Sequence, residues 1–245
     1  MTVQEVRAAL RQAASPEKAA ILARFFKTGP GEYGEGDHFL GVVVPAQRKI
    51  VRDYFAGRKS PDCGEVLAVV HELLNGERHE ERLTGLLILV ELYRRSGGVD
   101  RSRVCGFYLE HLDRVNNWDL VDLSAPGILG AHLLDRDSAV LFRLAESGNV
   151  WERRVAVLAT LVFIRAGRFS ETLRLAERLL LEKRDTHDLM HKAVGWMLRE
   201  VGKRDRGALE SFLDKHAAQL PRTALRYAIE RFPEMERRGY LAAGK

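Results

Sequence analysis

Cysteine is almost missing from this chain: only Cys63 and Cys105 occur, and neither belongs to a C-x-x-C pair. A disulfide framework and a cysteine-rich zinc site are therefore not expected, and a reducing compartment fits. The eight histidines form no H-E-x-x-H pattern, so no metal site and no cofactor is expected. With 7 prolines and no low-complexity tract, nothing reads as a long linker, and residues 1–245 are expected to form one continuous domain. Long apolar runs are lacking as well. The stretches around Leu83–Val90 and Val155–Ile164 are too short to span a bilayer, and MTVQEVRAAL has no basic region followed by an apolar run. These absences lead to the expectation of a cytoplasmic globular protein. No serine or cysteine stands in a recognisable nucleophile setting.

What is present includes one misleading motif. GPGEYG, Gly29 to Gly34, spells the G-x-G-x-x-G of a pyrophosphate-binding loop. That loop needs a strand before it and a helix opening on its last glycine, because the helix N-terminus holds the phosphate. Upstream, however, ASPEKAAILARFFK reads as a helix, with Ser15 as N-cap, Pro16 at the first helical position, and Ile21, Leu22, Phe25 and Phe26 at helical spacing. Glu32, Glu35 and Asp37 would also repel a phosphate. The glycines are read instead as permitting an irregular connection.

The formal net charge is +5, which permits an anionic partner without requiring one. Residues 1–114 hold 17 Lys and Arg against 16 acids, and residues 115–245 hold 22 against 18, so the excess lies in the second part.

After Pro45 the chain reads as helices of helical apolar spacing separated by Gly, Asp, Asn or Ser breaks. They are PAQRKIVRDYFAG, GEVLAVVHELLNG, EERLTGLLILVELYRRSGG, NWDLVDLSAPGILGAHLL, NVWERRVAVLATLVFIRAG, HDLMHKAVGWMLREVGK and GALESFLDKHAAQL. No segment reads as a strand. Arg82, Trp118, Arg154 and Lys192 each stand near the start of a strongly apolar helix, at spacings of 36, 36 and 38 residues, with more polar helices such as DSAVLFRLAES and SETLRLAERLLLEK between them. This period predicts an all-α fold, an α-solenoid of antiparallel helix pairs of the HEAT or armadillo kind. The predicted layout is N-terminal helices and a glycine-rich connection over 1–44, repeats over about 45–230, and a tail over 231–245.

The repeat register also gathers chemistry. Trp118 and Asp122 are four apart and share a helix face. Trp196 and Arg199 are three apart, with Lys192 a turn before. Arg154 takes the Trp118 position one unit later. Each residue has a structural alternative: a tryptophan at helical spacing can be core, as is expected of Trp151; Asp122 can be a solvated acid or a partner of Arg154; Lys192 can be solvated. Asp119 reads as an early-helix acid favoured by the dipole.

The segments FFKTGPGEYGEGDHFLGVVVPAQRK, NNWDLVD, WERRVAVL and HKAVGWMLREVGK, in this order and over nearly the whole chain, resemble the bacterial AlkD family of DNA alkylation repair glycosylases. The resemblance implies a HEAT-like solenoid whose concave basic face binds double-stranded DNA containing alkylated purines and releases cationic N3- or N7-alkylated bases without a flipped-base pocket. By motif, Trp118 and Trp196 resemble the aromatic pair beside the lesion, Asp122 the catalytic carboxylate, and Arg154 a phosphate-holding arginine, with Arg199 in the same cluster. Lys192, Lys203 and Arg204, with Arg206, are expected as further phosphate contacts, and the protein is expected to act as a monomer. Two other functions stay open on sequence: a non-catalytic solenoid that binds damaged or branched DNA, and a protein-interaction scaffold.

Overall fold

The computed structural model describes residues 1–58, 61–183 and 185–243. Among the described residues the chain is all-α, with no strand and one isolated bridge between His38 and Arg78, and it falls in the α-solenoid class that the repeat period predicts. It divides into two compact units, Met1–Ile128 and Leu129–Lys245.

Unit 1 opens with α1, Val3–Gln12, started by a reciprocal capping box between Thr2 and Glu5. The helix α2, Pro16–Phe25, begins as the sequence predicts: the Ser15 hydroxyl accepts from the Lys18 amide at 3.4 Å, and Pro16 occupies the first turn. Three longer helices follow, α3 (Val44–Phe55), α4 (Cys63–Leu74) and α5 (His79–Arg95), then α6 (Gly98–Glu110), a 3-10 turn (Leu112–Arg114) and the five-residue α7 (Trp118–Asp122). The hub is α5. Its LTGLLIL run is apolar all round, and a helix of that kind must be covered on every side; α1, α3, α4, α6 and α7 all pack on it.

Unit 2 contains α8 (Ala131–Leu133), α9 (Ala139–Ala145), α10 (Val150–Ala159), α11 (Leu161–Arg165), α12 (Ser170–Ala176), α13 (Asp188–Arg204), α14 (Arg206–His216), α15 (Arg222–Ala228) and α16 (Glu234–Ala243). Here α13 is the hub, packed against α10, α11, α12, α14 and α15. Its packing on α15 leaves no room for a side chain at Gly195, where an added Cβ would lie 2.5 Å from the Ala224 carbonyl oxygen and 2.6 Å from the Tyr227 Cβ.

Three predicted helices are interrupted. NWDLVDLSAPGILGAHLL breaks after α7 and resumes through a π turn, Pro126–Gly130, because Pro126 has no amide to donate. NVWERRVAVLATLVFIRAG divides at Thr160, whose hydroxyl donates to the Val157 carbonyl at 2.7 Å. SETLRLAERLLLEK passes from α12 into a second π turn, Glu177–Glu182. The predicted tail contains α16, and its last two residues, 244 and 245, lie outside the described residues. Both cysteines are buried and neither forms a disulfide. No helix among the described residues is long and apolar enough to cross a membrane.

Candidate functional site

The glycine-rich segment folds on its own acids. The Gly29 amide donates to Glu32 at 2.9 Å and the Gly31 amide to Glu35 at 2.9 Å, so carboxylates of the loop already occupy amides that a phosphate would need. Gly31 and Gly36 have φ of +75° and +80°, the left-handed region that glycine enters without strain. Gly34 is required for space: a Cβ there would lie 2.4 Å from the Phe26 carbonyl oxygen.

The loop ends by delivering Asp37 into the interior of unit 1. Its Oδ2 accepts from His79 Nδ1 at 2.7 Å and from Asn117 Nδ2 at 3.3 Å, and its Oδ1 accepts from Arg82 Nη2 at 2.6 Å. The other nitrogen of His79 lies 2.9 Å from Asp119 Oδ2. Burial alone would strip the proton from His79, but Asp119 and Asp37 outweigh it and raise the imidazole to about 9. Burial likewise pushes Asp37 upward, and the hydrogen bonds and charges of His79 and Arg82 reverse that, holding the carboxyl at about 2. Next to this network, Glu80 accepts from the amides of Leu40, Gly41 and Val42 at 2.7–3.0 Å and fixes the segment leading into α3.

On this base stands α7. Asn117 caps it by accepting from the Trp118 amide at 2.9 Å. The Trp118 indole stacks on Phe26 with centroids 4.8 Å apart and planes 9° apart, and Phe25 meets it edge-on at 5.7 Å. Behind Phe26 lie Phe39 at 5.0 Å and His79 at 5.0 Å, and Phe39 stacks on the imidazole at 4.5 Å. Trp118 and Asp122, both half-buried, line one cleft of about 380 Å³ together with Phe25, Phe26, Val43 and Leu83. Phe25 is 61% exposed and Val43 42%, so the mouth of this cleft is apolar. An indole face, an apolar wall and a carboxylate one turn on suit a flat, positively charged, partly apolar ligand.

The remaining predicted residues belong to unit 2. Trp196, half-buried on α13, donates its indole N–H to Glu200 at 3.1 Å, and Glu200 also receives Lys203 at 2.9 Å. Lys192 is 2.6 Å from Asp188, and Arg199 pairs with Glu230. Arg204 is exposed at the end of the helix. Arg154 is only 5% exposed and donates to the Leu189 carbonyl at 2.7 Å. Trp151 is buried, as expected of a core residue. Thus Trp118 and Asp122 share one cleft in unit 1, while Trp196, Arg199, Lys192, Lys203 and Arg204 lie along one helix of unit 2.

Sequence reasoning missed the base of the platform. Asp119, read only as an early-helix acid favoured by the dipole, is buried and bound to His79, since the helix turns its second residue inward when its first points to the cleft. The one available signal was a His at the start of α5, 40 residues before an Asp at the start of α7, close to the repeat period. Among the described residues no group of three or more His, Cys, Asp or Glu is placed to hold a metal ion.

Fold and site together define a helical-repeat protein with an aromatic cleft beside a carboxylate. The chain belongs to the DNA alkylation repair enzyme family, whose model matches residues 6–232. A solved structure described as "Predicted DNA alkylation repair enzyme from Enterococcus faecalis" has a similar fold, with a TM-score of 0.69 and 17% identity over 90% of this chain and 97% of that one. A comparison with curated proteins gave no match.

Proposed function

We propose that the protein is a monofunctional DNA glycosylase that hydrolyses the N-glycosidic bond of cationic N3- or N7-alkylated purines in duplex DNA. The observation that carries this reading is the placement of Trp118 and Asp122 in one cleft, an indole and a carboxylate one helical turn apart. A base carrying a positive charge is already a good leaving group and needs no general acid. What remains is to stabilise the cationic sugar that develops and to direct a water at it, and one ionised carboxylate, Asp122, serves both needs. Indole contacts of about 0.5–2 kcal/mol each favour the charged lesion over a neutral base, a role shared by Trp118 and Trp196.

Membership of the alkylation repair family supports DNA as the substrate, and residues 129–245, with 22 Lys and Arg against 16 acids, supply the attraction for phosphate. On this reading Lys192, Lys203 and Arg199 reach phosphates by exchanging a surface partner and Arg204 reaches one from its exposed helix end, whereas Arg154 does so only by giving up its bond to Leu189. The protein works as a monomer and as one functional domain, gripping backbone and deoxyribose rather than swallowing a flipped base.

The test is selectivity. Duplexes carrying N7-methylguanine, N3-methyladenine or the neutral hypoxanthine are incubated with the protein and free base is measured by mass spectrometry. Release of the charged bases alone is expected. Binding of all three duplexes with no release would instead favour a non-catalytic damage-binding protein.

A further inference from the structure

We infer that Asp37 and His79 are positioning residues: the glycine-rich loop delivers a carboxylate that, through a buried imidazole, locks the turn carrying Trp118 and Asp122. The inference deepens the glycosylase reading and rests on it only for its activity readout.

The need for such a lock follows from the length of α7. Five residues cannot hold a helix by themselves, because nucleation costs more than one or two hydrogen bonds return. Placement must therefore be imposed from outside, and the residues immediately flanking Trp118 are the ones seized. On one side Asn117, the N-cap, donates to Asp37 at 3.3 Å. On the other side Asp119 is held by His79 at 2.9 Å. His79 joins these two attachments, since its other nitrogen lies 2.7 Å from Asp37. The aromatic rings follow the same line, from Trp118 through Phe26 to Phe39 and the imidazole.

Charge makes the lock depend on a proton. The groups facing His79 are Asp37 from the loop, Asp119 from α7 and, through Asp37, Arg82 from α5. Glu80 is turned to the amides of residues 40–42, and Asp122 lines the cleft that His79 also borders. With His79 protonated, two cations balance Asp37 and Asp119. Loss of that proton leaves a net negative charge in a site where both carboxylates and the imidazole are 7% exposed or less, and Asp119 Oδ1 has no hydrogen-bond partner there to share it. The loop's other features serve delivery: Glu32 and Glu35 close it on itself, and Gly34 lets it pass against the Phe26 backbone.

The experiment uses the full chain with His79→Gln and Asp37→Asn, each checked for folding by circular dichroism. The indole N–H resonance of Trp118, assigned by its loss in Trp118→Phe, is followed from pH 6 to pH 10, and single-turnover base release is measured at neutral pH. The expected result is a Trp118 resonance that titrates near pH 9 in the wild type and not in His79→Gln. Base release is expected to fall about 10- to 100-fold in both variants while DNA affinity is kept, the signature of a misplaced reacting group. A Trp118 resonance indifferent to pH and to both substitutions, with full release by the folded variants, would overturn the inference. If the wild type itself releases no base, the glycosylase reading fails, and the indole resonance alone decides the positioning role.

Discussion

The Trp118 indole and the Phe26 ring are stacked, with centroids 4.8 Å apart and planes within 9° of parallel. Phe26 is 5% exposed and is itself backed by Phe39 and His79, so the indole rests on a layer that cannot yield. One indole face is occupied by protein, and in the proposed function a damaged base would meet the other.

Phe26→Ala removes that layer. A loss of about 3–5 kcal/mol in urea unfolding is expected, typical of emptying a buried aromatic site. Phe26→Leu, which keeps most of the volume, should cost much less but still slow base release, because a branched aliphatic side chain gives the indole no flat support. Equal release by Phe26→Leu and wild type would show that the stack is structural only.

Stability should respond to pH on both sides of neutrality. His79 has a folded value above its ordinary 6.5, so its contribution is complete below about 6.5 and lost as pH rises through about 9. Asp37 has a folded value below its ordinary 3.8, so its contribution is complete above that and lost as pH falls through about 2. At 1.36 kcal/mol per unit the His79 shift corresponds to roughly 3 kcal/mol and the Asp37 shift to roughly 2 kcal/mol, and because the two groups share one contact these do not add. Melting temperatures across pH 6–10 check the first: the wild type should lose stability through this range more steeply than His79→Gln. Identical alkaline slopes would mean that His79 carries no proton at neutral pH.

Gly195→Ala places a methyl group 2.5 Å from the Ala224 carbonyl oxygen. In an exposed helix interior the same change gains about 1 kcal/mol. Here a loss of about 1–3 kcal/mol is expected as α13 and α15 are pushed apart, with Trp196, the next residue, displaced. A rise in melting temperature would contradict this packing.

The cations of unit 2 should separate by burial. Lys203→Ala should reduce the slope of log affinity against log salt by about 1. Arg154→Ala should reduce the slope as well and, unlike Lys203→Ala, also cost about 2–3 kcal/mol of stability, because a buried hydrogen bond to Leu189 is lost from a charged donor. Glu230→Gln, which releases Arg199, should tighten DNA binding at low salt. Binding titrations at three salt concentrations, with urea unfolding alongside, measure all of these.

Much of this site could be read before the structure because its information is local. Ser15 and Pro16 announce α2, and Trp118 and Asp122, four apart, share a cleft as helical geometry requires. The split of 117–134 was also encoded, in Pro126, but apolar periodicity spoke louder than one missing amide. The Asp37–His79–Asp119 chain is of another kind. Its members lie 42 and 40 residues apart, and each alone reads as an ordinary loop acid, a lone histidine and a first-turn carboxylate. Only tertiary packing makes them one unit. The same holds for Phe25 and Phe26, whose helical spacing predicts a core face, while the structure leaves Phe25 exposed beside Trp118.

The most direct measurement is single-turnover release of N7-methylguanine from duplex DNA by wild type and Asp122→Asn, with affinity for the same duplex measured in parallel. Release by the wild type, abolished in Asp122→Asn while affinity is kept, is the expected result. Equal release by both proteins would remove Asp122 from the chemistry, and no release by either, with tight binding, would contradict the glycosylase itself.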